Sequence, residues 1–176
     1  MDEYRQRRLD ELKAAQAQNR FGAVAEITKA DWVRDVTECS NTCWVAVHLY
    51  QDSVVECGLV DEAMLALAPR FKYVKFVKIR STQAVENWPE RNLPTVFFYH
   101  HGELKTQLVT VKALGGKSMR PADLEWYMVQ HRILTTSELE EDPRAAAGGI
   151  GVGSRTTVFR AGAGSHSRAV DSDDDG

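Results

Sequence analysis

The stretch that decides the fold is Asn92-Leu93-Pro94-Thr95-Val96-Phe97-Phe98-Tyr99-His100-His101-Gly102-Glu103. A proline precedes a run of β-branched and aromatic residues, which is the composition of a buried strand. The run ends in a turn at 100–103, where Gly102 can supply the positive φ that a tight hairpin needs. A second apolar run, Thr106–Val111, follows the turn. The stretch therefore predicts a β-hairpin with Pro94 at its entrance.

Upstream of this hairpin, short strand-like runs alternate with helix-like stretches. The strands are predicted at Ala23–Ile27, Trp44–Tyr50 and Val74–Ile79, and the helices at Ala30–Glu38 and Glu56–Phe71, with a last helix at Pro121–His131 after the hairpin. Such alternation implies parallel pairing of the first three strands, to which the hairpin adds antiparallel ones. We expect an α/β domain over 21–139, with a mixed central sheet flanked by helices on both faces.

The predicted helix at 30–38 is expected to bury one apolar face. Trp32, Val33 and Val36 are its large apolar residues, and we expect all three on the side that faces the sheet.

The two ends of the chain differ from this domain in composition. Residues 1–20 contain good helix formers and neither Pro nor Gly, which predicts an N-terminal helix with a thin apolar seam at Tyr4, Leu9 and Leu12. Residues 140–176 are rich in Gly, Ser and Asp and contain few large apolar side chains. Such a segment buries too little surface to offset the entropy of ordering, so we expect a disordered tail.

The overall composition excludes several classes of partner. Lys and Arg total 22 against 25 Asp and Glu, which gives a net charge of −3 and no basic excess for sequence-independent nucleic-acid binding. No apolar run approaches the ~20 residues that span a bilayer. The charged start of the sequence does not resemble a secretory signal. We therefore expect a cytoplasmic monomer with no nucleic-acid partner and no membrane insertion.

The three cysteines, Cys39, Cys43 and Cys57, are an odd number, which favours free thiols in a reducing compartment. Cys39 and Cys43 lack the second pair of ligands that structural zinc sites use. They are interpreted as incidental thiols of a connector, and a redox-sensitive pair is the alternative. His100 and His101 are expected to point to opposite sides of a strand end, so they would not share a metal ion. No catalytic, cofactor-binding or metal-binding residue is predicted.

The hairpin stretch also resembles the thioredoxin fold, in which an apolar residue, a cis-proline and a threonine enter a strand. Trp44–Tyr50 is similar to the central strand that precedes the redox motif of that fold. The resemblance implies a cis Leu93–Pro94 bond and places Cys57 at the second cysteine of Cys-x-x-Cys, with Val54 at the first.

A redox-active site of this kind needs a thiolate at a helix N-terminus, and Val54 has no thiol. Cys57 is expected one turn inside the helix beside Glu56, where it would be structural. The alternative is a monothiol redox protein that uses Cys57.

A narrower resemblance, to phosducin-like proteins of the phosducin-like 2/3 group (which includes the viral IAP-associated factor), covers residue 1 to about residue 143. It rests on the segments 4–9, 19–22, 47–50, 89–95 and 123–126. Members have a helical domain before a thioredoxin-like domain, so residues 1–20 are expected to be the end of that helical domain.

The resemblance to phosducin-like proteins implies a non-enzymatic co-chaperone without a cofactor. Such a protein would bind the cytosolic chaperonin CCT/TRiC and modulate folding of clients such as actin and tubulin. A scaffold for signalling or apoptosis partners is a further alternative.

Two surfaces are candidates for partner binding. One is the basic part of the leading helix, with Arg5, Arg7 and Arg8, which together with the acidic tail would steer docking in a salt-sensitive way. The other surrounds Val54, Cys57 and the structural cis-proline Pro94. Trp88 is a candidate contact, and packing over the sheet is its alternative role. Ser172 precedes three aspartates and resembles an acidophilic-kinase site, where phosphate would add ~1.5–2 negative charges.

Overall fold

The computed structural model describes residues 2–147, and a five-stranded mixed sheet forms its centre. The strands are β1 (Val24–Glu26), β2 (Trp44–Tyr50), β3 (Val74–Arg80), β4 (Thr95–His100) and β5 (Glu103–Val109). Their order across the sheet is β1-β3-β2-β4-β5. β1, β3 and β2 pair in parallel, whereas β4 pairs antiparallel with both β2 and β5. The predicted α/β fold with a mixed sheet is confirmed.

Helices and short turns surround the sheet. The helices are α1 (Asp2–Gln18), α2 (Cys57–Leu67), α3 (Ser81–Ala84), α4 (Pro121–Gln130) and α5 (Pro143–Ala147). Pro121 stands at the first position of α4, where a missing N–H costs nothing, and Asp123 accepts a hydrogen bond from the Arg120 N–H at 2.7 Å. Helices α2 and α4 pack against each other over one face of the sheet.

The sheet is buried on both faces, as expected for a central parallel strand between two layers. Ala46 and Phe98 belong to the core that β2 and β4 share with α2 and α4. Val45 and Val47, from alternate positions of β2, belong to a second core on the other face, together with Val36. The side-chain alternation of one strand thus joins two apolar layers.

Two local predictions were wrong in detail. The segment 30–38 is no α-helix: a 3₁₀ turn at Lys29–Asp31 is followed by a π-helical turn at Val33–Glu38. A π-helical turn contains more residues than an α-helical turn, so each residue rotates the chain by a smaller angle. Val33 therefore points outward and is 61% exposed, while Val36 is buried. Strand β5 begins at Glu103 instead of Thr106, because a register shift at Phe98/Tyr99 lets the ladder reach the turn.

The boundary of the predicted tail also changes. Residues 143–147 form the short helix α5, and Arg144 ties it to the domain. The Arg144 guanidinium donates to the carbonyl oxygens of Leu114 (2.9 Å) and Ser118 (2.8 Å) and to the buried Asp123 carboxylate (3.1 Å). A buried carboxylate needs a cationic partner, and this ion pair together with the two carbonyl contacts ties the segment to the domain. Residues 148–176, including Ser172, lie outside the described residues.

This contact gives a prediction for Gly115, which has a φ of +101°. A Cβ there would overlap the Arg144 guanidinium, whereas a Cβ on Gly116 (φ +60°) would meet nothing within 4 Å. We expect Gly115→Ala to lower the free energy of unfolding by about 1–3 kcal/mol, because a side chain is strained at this φ and the Arg144 guanidinium must move away from Asp123. Gly116→Ala is the matched control, with strain alone of about 1 kcal/mol. Urea unfolding measures both, and equal losses would contradict the role of Arg144.

Candidate functional site

The candidate site lies after β2, where the loop 51–56 leads into α2. The Val54 N–H donates to the Gln51 carbonyl oxygen (3.2 Å), and the Cys57 N–H donates to the Val54 carbonyl oxygen (3.1 Å). These turns precede the helix, so Cys57 is the first residue of α2. The prediction that it lies one turn inside the helix was wrong. Val54 is half-buried and Val55, at the tip of the loop, is 84% exposed.

Cys57 is poorly placed to act as a nucleophile. Its side chain is buried, and burial raises the pKa of the Cys57 thiol. A backbone hydrogen bond with Gln51 opposes this shift, but the nearby carboxylates of Asp61 and Glu56 add to it. A thiol whose pKa is raised presents little thiolate at neutral pH, and the thiolate is the reactive form.

A groove separates Val54 from Pro94, and the Leu93–Pro94 peptide bond is cis. The Thr110 N–H donates to the Pro94 carbonyl oxygen at 2.8 Å, which holds the end of β5 beside this bond. The groove has a volume of about 420 Å³. It is lined by Val54, Glu56, Glu90, Arg91, Leu93, Pro94, Thr110, Val111, Lys112, Gly116 and Lys117.

The lining of this groove combines an apolar part with charges of both signs. Val54, Leu93 and Pro94 supply apolar surface, and the charged side chains belong to two acidic and three basic residues. Glu90 is further held by a hydrogen bond from the Ser53 hydroxyl. An apolar cleft with a charged rim suits a protein or peptide segment, because its centre is desolvated and its rim sets orientation.

Trp88 takes part in packing beside this groove. Its indole N–H donates to the Thr95 hydroxyl oxygen (3.1 Å), and its ring meets that of Phe97 edge-on with centroids 5.6 Å apart. The ring is half-buried against the second core, so only part of it is available at the surface.

The second predicted surface, on α1, is far from the groove. No residue of α1 is buried, and Tyr4, Leu9 and Leu12 are at least half exposed. The end of the helix is linked to the start of β2 through Arg20, which donates to the Thr42 hydroxyl oxygen at 2.9 Å. Val54 follows the other end of β2, a strand about 20 Å long. The structure therefore does not bring the two candidate surfaces together.

The charge of α1 is basic only locally. The side chains of Arg5, Arg7 and Arg8 are exposed, but α1 carries four basic and four acidic residues. Three of the four positive charges lie within the segment 5–8, and the acidic residues on either side of it balance the charge of the helix as a whole.

A half-buried pair links β2 to α2, and the sequence did not reveal the partner of its histidine. The His48 ring nitrogen Nδ1 lies 3.0 Å from Asp61 Oδ1, and Lys78 Nζ lies 3.8 Å from the same carboxylate. Burial lowers the pKa of His48, so the imidazole is neutral and donates Nδ1–H. Burial pushes the pKa of Asp61 upward, but the interactions with His48 and Lys78 together outweigh burial and lower the pKa, so the carboxylate is ionised. The only sequence signal was a histidine within an apolar strand.

The lowered pKa of His48 makes stability depend on pH. The unfolded chain binds the proton more readily than the folded chain, so stability is present above the ordinary pKa of 6.5 and is lost as pH falls below it. We expect a decrease of up to ~1.4 kcal/mol per pH unit in unfolding free energy between pH 6.5 and 5. Burial also lowers the pKa of His100, which adds a smaller part of the pH dependence.

His48→Asn is the test of this assignment, because the asparagine amide nitrogen takes the place of Nδ1, keeps a donor for Asp61 and cannot titrate. Urea unfolding at several pH values should give a flatter profile for the variant. An unchanged slope would contradict the assignment.

Other chemistry is limited in the part of the chain that the structure describes. Over 2–147, no three His, Cys, Asp or Glu side chains lie close enough to hold a metal ion. None of the helices in this range is long and apolar enough to cross a membrane. The rings of His100 and His101 lie together, with centroids 3.9 Å apart, and not on opposite sides as predicted, because His101 has a positive φ of 52°.

The five-stranded mixed sheet with its flanking helices defines a thioredoxin-like fold. A chain in the crystal structure of the ferredoxin:thioredoxin reductase and thioredoxin f2 complex has the same fold, with a TM-score of 0.51 and 14% identity over 64% of this chain and 98% of that one. The family model described as Phosducin matches residues 1–145. The chain therefore belongs to the phosducin family, which confirms the resemblance.

Curated relatives support this membership. Phosducin-like protein 3 of Mus musculus is 41% identical over 141 residues, which cover 80% of this chain and 58% of the relative. Phosducin-like protein 2 of Drosophila melanogaster is 40% identical over 144 residues, 82% of this chain and 60% of the relative. The chain thus spans about three fifths of the length of these relatives.

Proposed function

We propose that the chain is a non-catalytic phosducin-like co-chaperone that binds the cytosolic chaperonin CCT/TRiC and modulates folding of clients such as actin and tubulin. The observation that carries this proposal is that Val54, which has no thiol, lines an open groove beside Pro94. Dithiol chemistry of the thioredoxin type would need a thiolate at that position, whereas binding needs only the groove. Membership of the phosducin family supports the same function.

The groove and the loop above it are the first proposed contact surface. Val55 is a large aliphatic side chain held in solvent at the tip of the loop, and Val54 lies on the wall of the groove. Burying such a side chain against a partner removes apolar surface from water, which stabilises the complex. Cys57 acts here by packing below the loop, not by touching the partner, because it is buried.

Helix α1 is the second proposed surface. A helix of 17 residues without a single buried side chain is marginally stable in water, so contact with a partner would favour it. Its seam of Tyr4, Leu9 and Leu12 would supply apolar contact, and Arg5, Arg7 and Arg8 would supply positive charge. Residues 1–20 would then be the end of a helical domain, and 21–139 the thioredoxin-like domain. Because α1 as a whole is balanced in charge, we expect rising salt to weaken binding only modestly.

The proposal places the protein in the cytoplasm as a monomer that needs no cofactor. Capture from cytosol with the tagged chain tests it, because chaperonin subunits should dominate the captured proteins. Capture of signalling or apoptosis proteins without chaperonin would instead support a scaffold and contradict the proposal.

The rival function, a monothiol redox protein, is tested separately by insulin reduction. We expect the chain and its Cys57→Ser variant to show the same rate as the protein-free blank, because Cys57 is buried and its pKa is raised. Turnover that Cys57→Ser abolishes would favour the rival.

A further inference from the structure

Two sulfur atoms lie in contact in the connector before β2. Cys39 Sγ and Cys43 Sγ are 3.6 Å apart, and the Cys43 thiol donates to the Cys39 carbonyl oxygen at 3.2 Å. A 3₁₀ turn at Cys39–Asn41 brings the two side chains to the same side. The separation exceeds a disulfide bond of about 2 Å by an amount that small side-chain rotations can close.

We propose that Cys39 and Cys43 are a reversible dithiol–disulfide pair that small disulfides of the glutathione class oxidise. This pair is separate from the position of the thioredoxin redox site, because Cys57 lies beyond the other end of β2 and makes no sulfur–sulfur contact within residues 2–147.

The exposure of the two thiols sets the order of the reaction. Cys39 is half-buried and Cys43 is buried, so an external disulfide reaches Cys39 first. Burial, together with the negative charge and hydrogen bond of Cys39, raises the pKa of Cys43 to about 12. Once Cys39 is held in a mixed disulfide, it no longer carries that charge or accepts that bond as a thiolate, so two of the causes that raise the pKa of Cys43 are removed. Cys43 then ionises more readily than in the free dithiol.

The steps balance as two thiol–disulfide exchanges. The Cys39 thiolate attacks one sulfur of oxidised glutathione, forms a mixed disulfide and releases one glutathione thiolate. Cys43 loses its proton and attacks the Cys39 sulfur, which forms the Cys39–Cys43 bond and releases the second glutathione. Two protein thiols are oxidised, and one glutathione disulfide is reduced to two thiols that take up the two protons.

The pair brackets a connector that contacts two other parts of the chain. Ser40 accepts hydrogen bonds from the hairpin turn, at its carbonyl oxygen from the His101 N–H (2.7 Å) and at its hydroxyl oxygen from the Gly102 N–H (3.0 Å). Thr42 accepts the hydrogen bond from Arg20 after α1. A disulfide across 39–43 would fix the segment that joins the hairpin turn to the end of α1.

The test uses the full chain with Cys57→Ser, in which only the proposed pair remains. The chain is incubated with oxidised glutathione, and free thiols are then alkylated under denaturing conditions. We expect no alkyl group on the chain and an intact mass two hydrogen atoms lower than that of the reduced chain before alkylation. Dithiothreitol should restore two alkylatable thiols. In the matched control, Cys43→Ser in the same background, one glutathione should remain on Cys39.

Three outcomes would overturn the proposal: two thiols that stay free, a stable glutathione adduct despite Cys43, or a disulfide between chains. The same experiment on the unsubstituted chain, with fragmentation to locate the bond, decides the matter if Cys57→Ser does not fold. Neither result bears on chaperonin binding, which is measured independently.

Discussion

Replacing Val54 with cysteine is expected to give the chain disulfide-reductase activity, on the order of tenfold to hundredfold above its own background. Val54 precedes the N-terminus of α2, where aligned peptide dipoles lower the pKa of a thiol. Cys57 stands three residues on, so the variant Val54→Cys would contain both an attacking and a resolving thiol. Glu56 and Asp52 lie nearby, and their negative charges raise the pKa of a thiol there. They therefore limit the increase in the reduction rate. Insulin reduction with dithiothreitol as electron donor measures the rate.

The matched control is Val54→Cys combined with Cys57→Ser, which keeps the new thiol and removes the resolving one. Its rate should return to the background of the unsubstituted chain. An unsubstituted chain that is already as fast as Val54→Cys, at a rate that Cys57→Ser abolishes, would show that Cys57 is active alone. A Val54→Cys variant that forms no disulfide would show that the loop is no longer shaped like a redox site.

The second large effect is expected at Val55, the most exposed large aliphatic side chain of the proposed contact surface. Val55→Asp should weaken chaperonin binding by about tenfold or more, because an unpaired carboxylate would have to be desolvated in the interface. The substitution leaves the domain core intact, since Val55 is 84% exposed. Titration of labelled chain with purified chaperonin, read as fluorescence anisotropy, measures Kd.

Leu65→Asp provides the matched control for that experiment. Leu65 is also a large exposed aliphatic residue, at 64%, but it lies on α2 outside the lining of the groove. Its substitution should leave Kd within about twofold of the unsubstituted value, as is usual for substitutions outside an interface. Equal losses for the two variants would contradict the assignment of the surface to the loop 51–56.

The sequence was most informative where local patterns and topology agree. The apolar run after Pro94 and the turn at Gly102 predicted β4 and the hairpin, and the paired residues Thr95 and Val109 confirm them. Strand–helix alternation predicted the parallel pairing of β2 with β3, because a crossover helix leaves few other arrangements. These features depend on periodicity and connection length, which a single sequence displays.

The details that escaped prediction depend on contacts between distant residues. Arg144 is ordered by Asp123, and His48 is paired with Asp61 across two elements. An α-helix and a π-helical turn favour similar residues, so periodicity alone did not reveal the π-turn that exposes Val33. In the candidate site, the burial of Cys57 at the first position of α2 depends on packing that the sequence pattern did not reveal.

Co-migration of the purified chain with purified CCT/TRiC in size-exclusion chromatography tests the proposed chaperonin binding most directly. At micromolar concentration, and without nucleotide or reductant, we expect the chain to elute with the chaperonin. A chain that elutes only at its own size beside intact chaperonin would contradict the central claim.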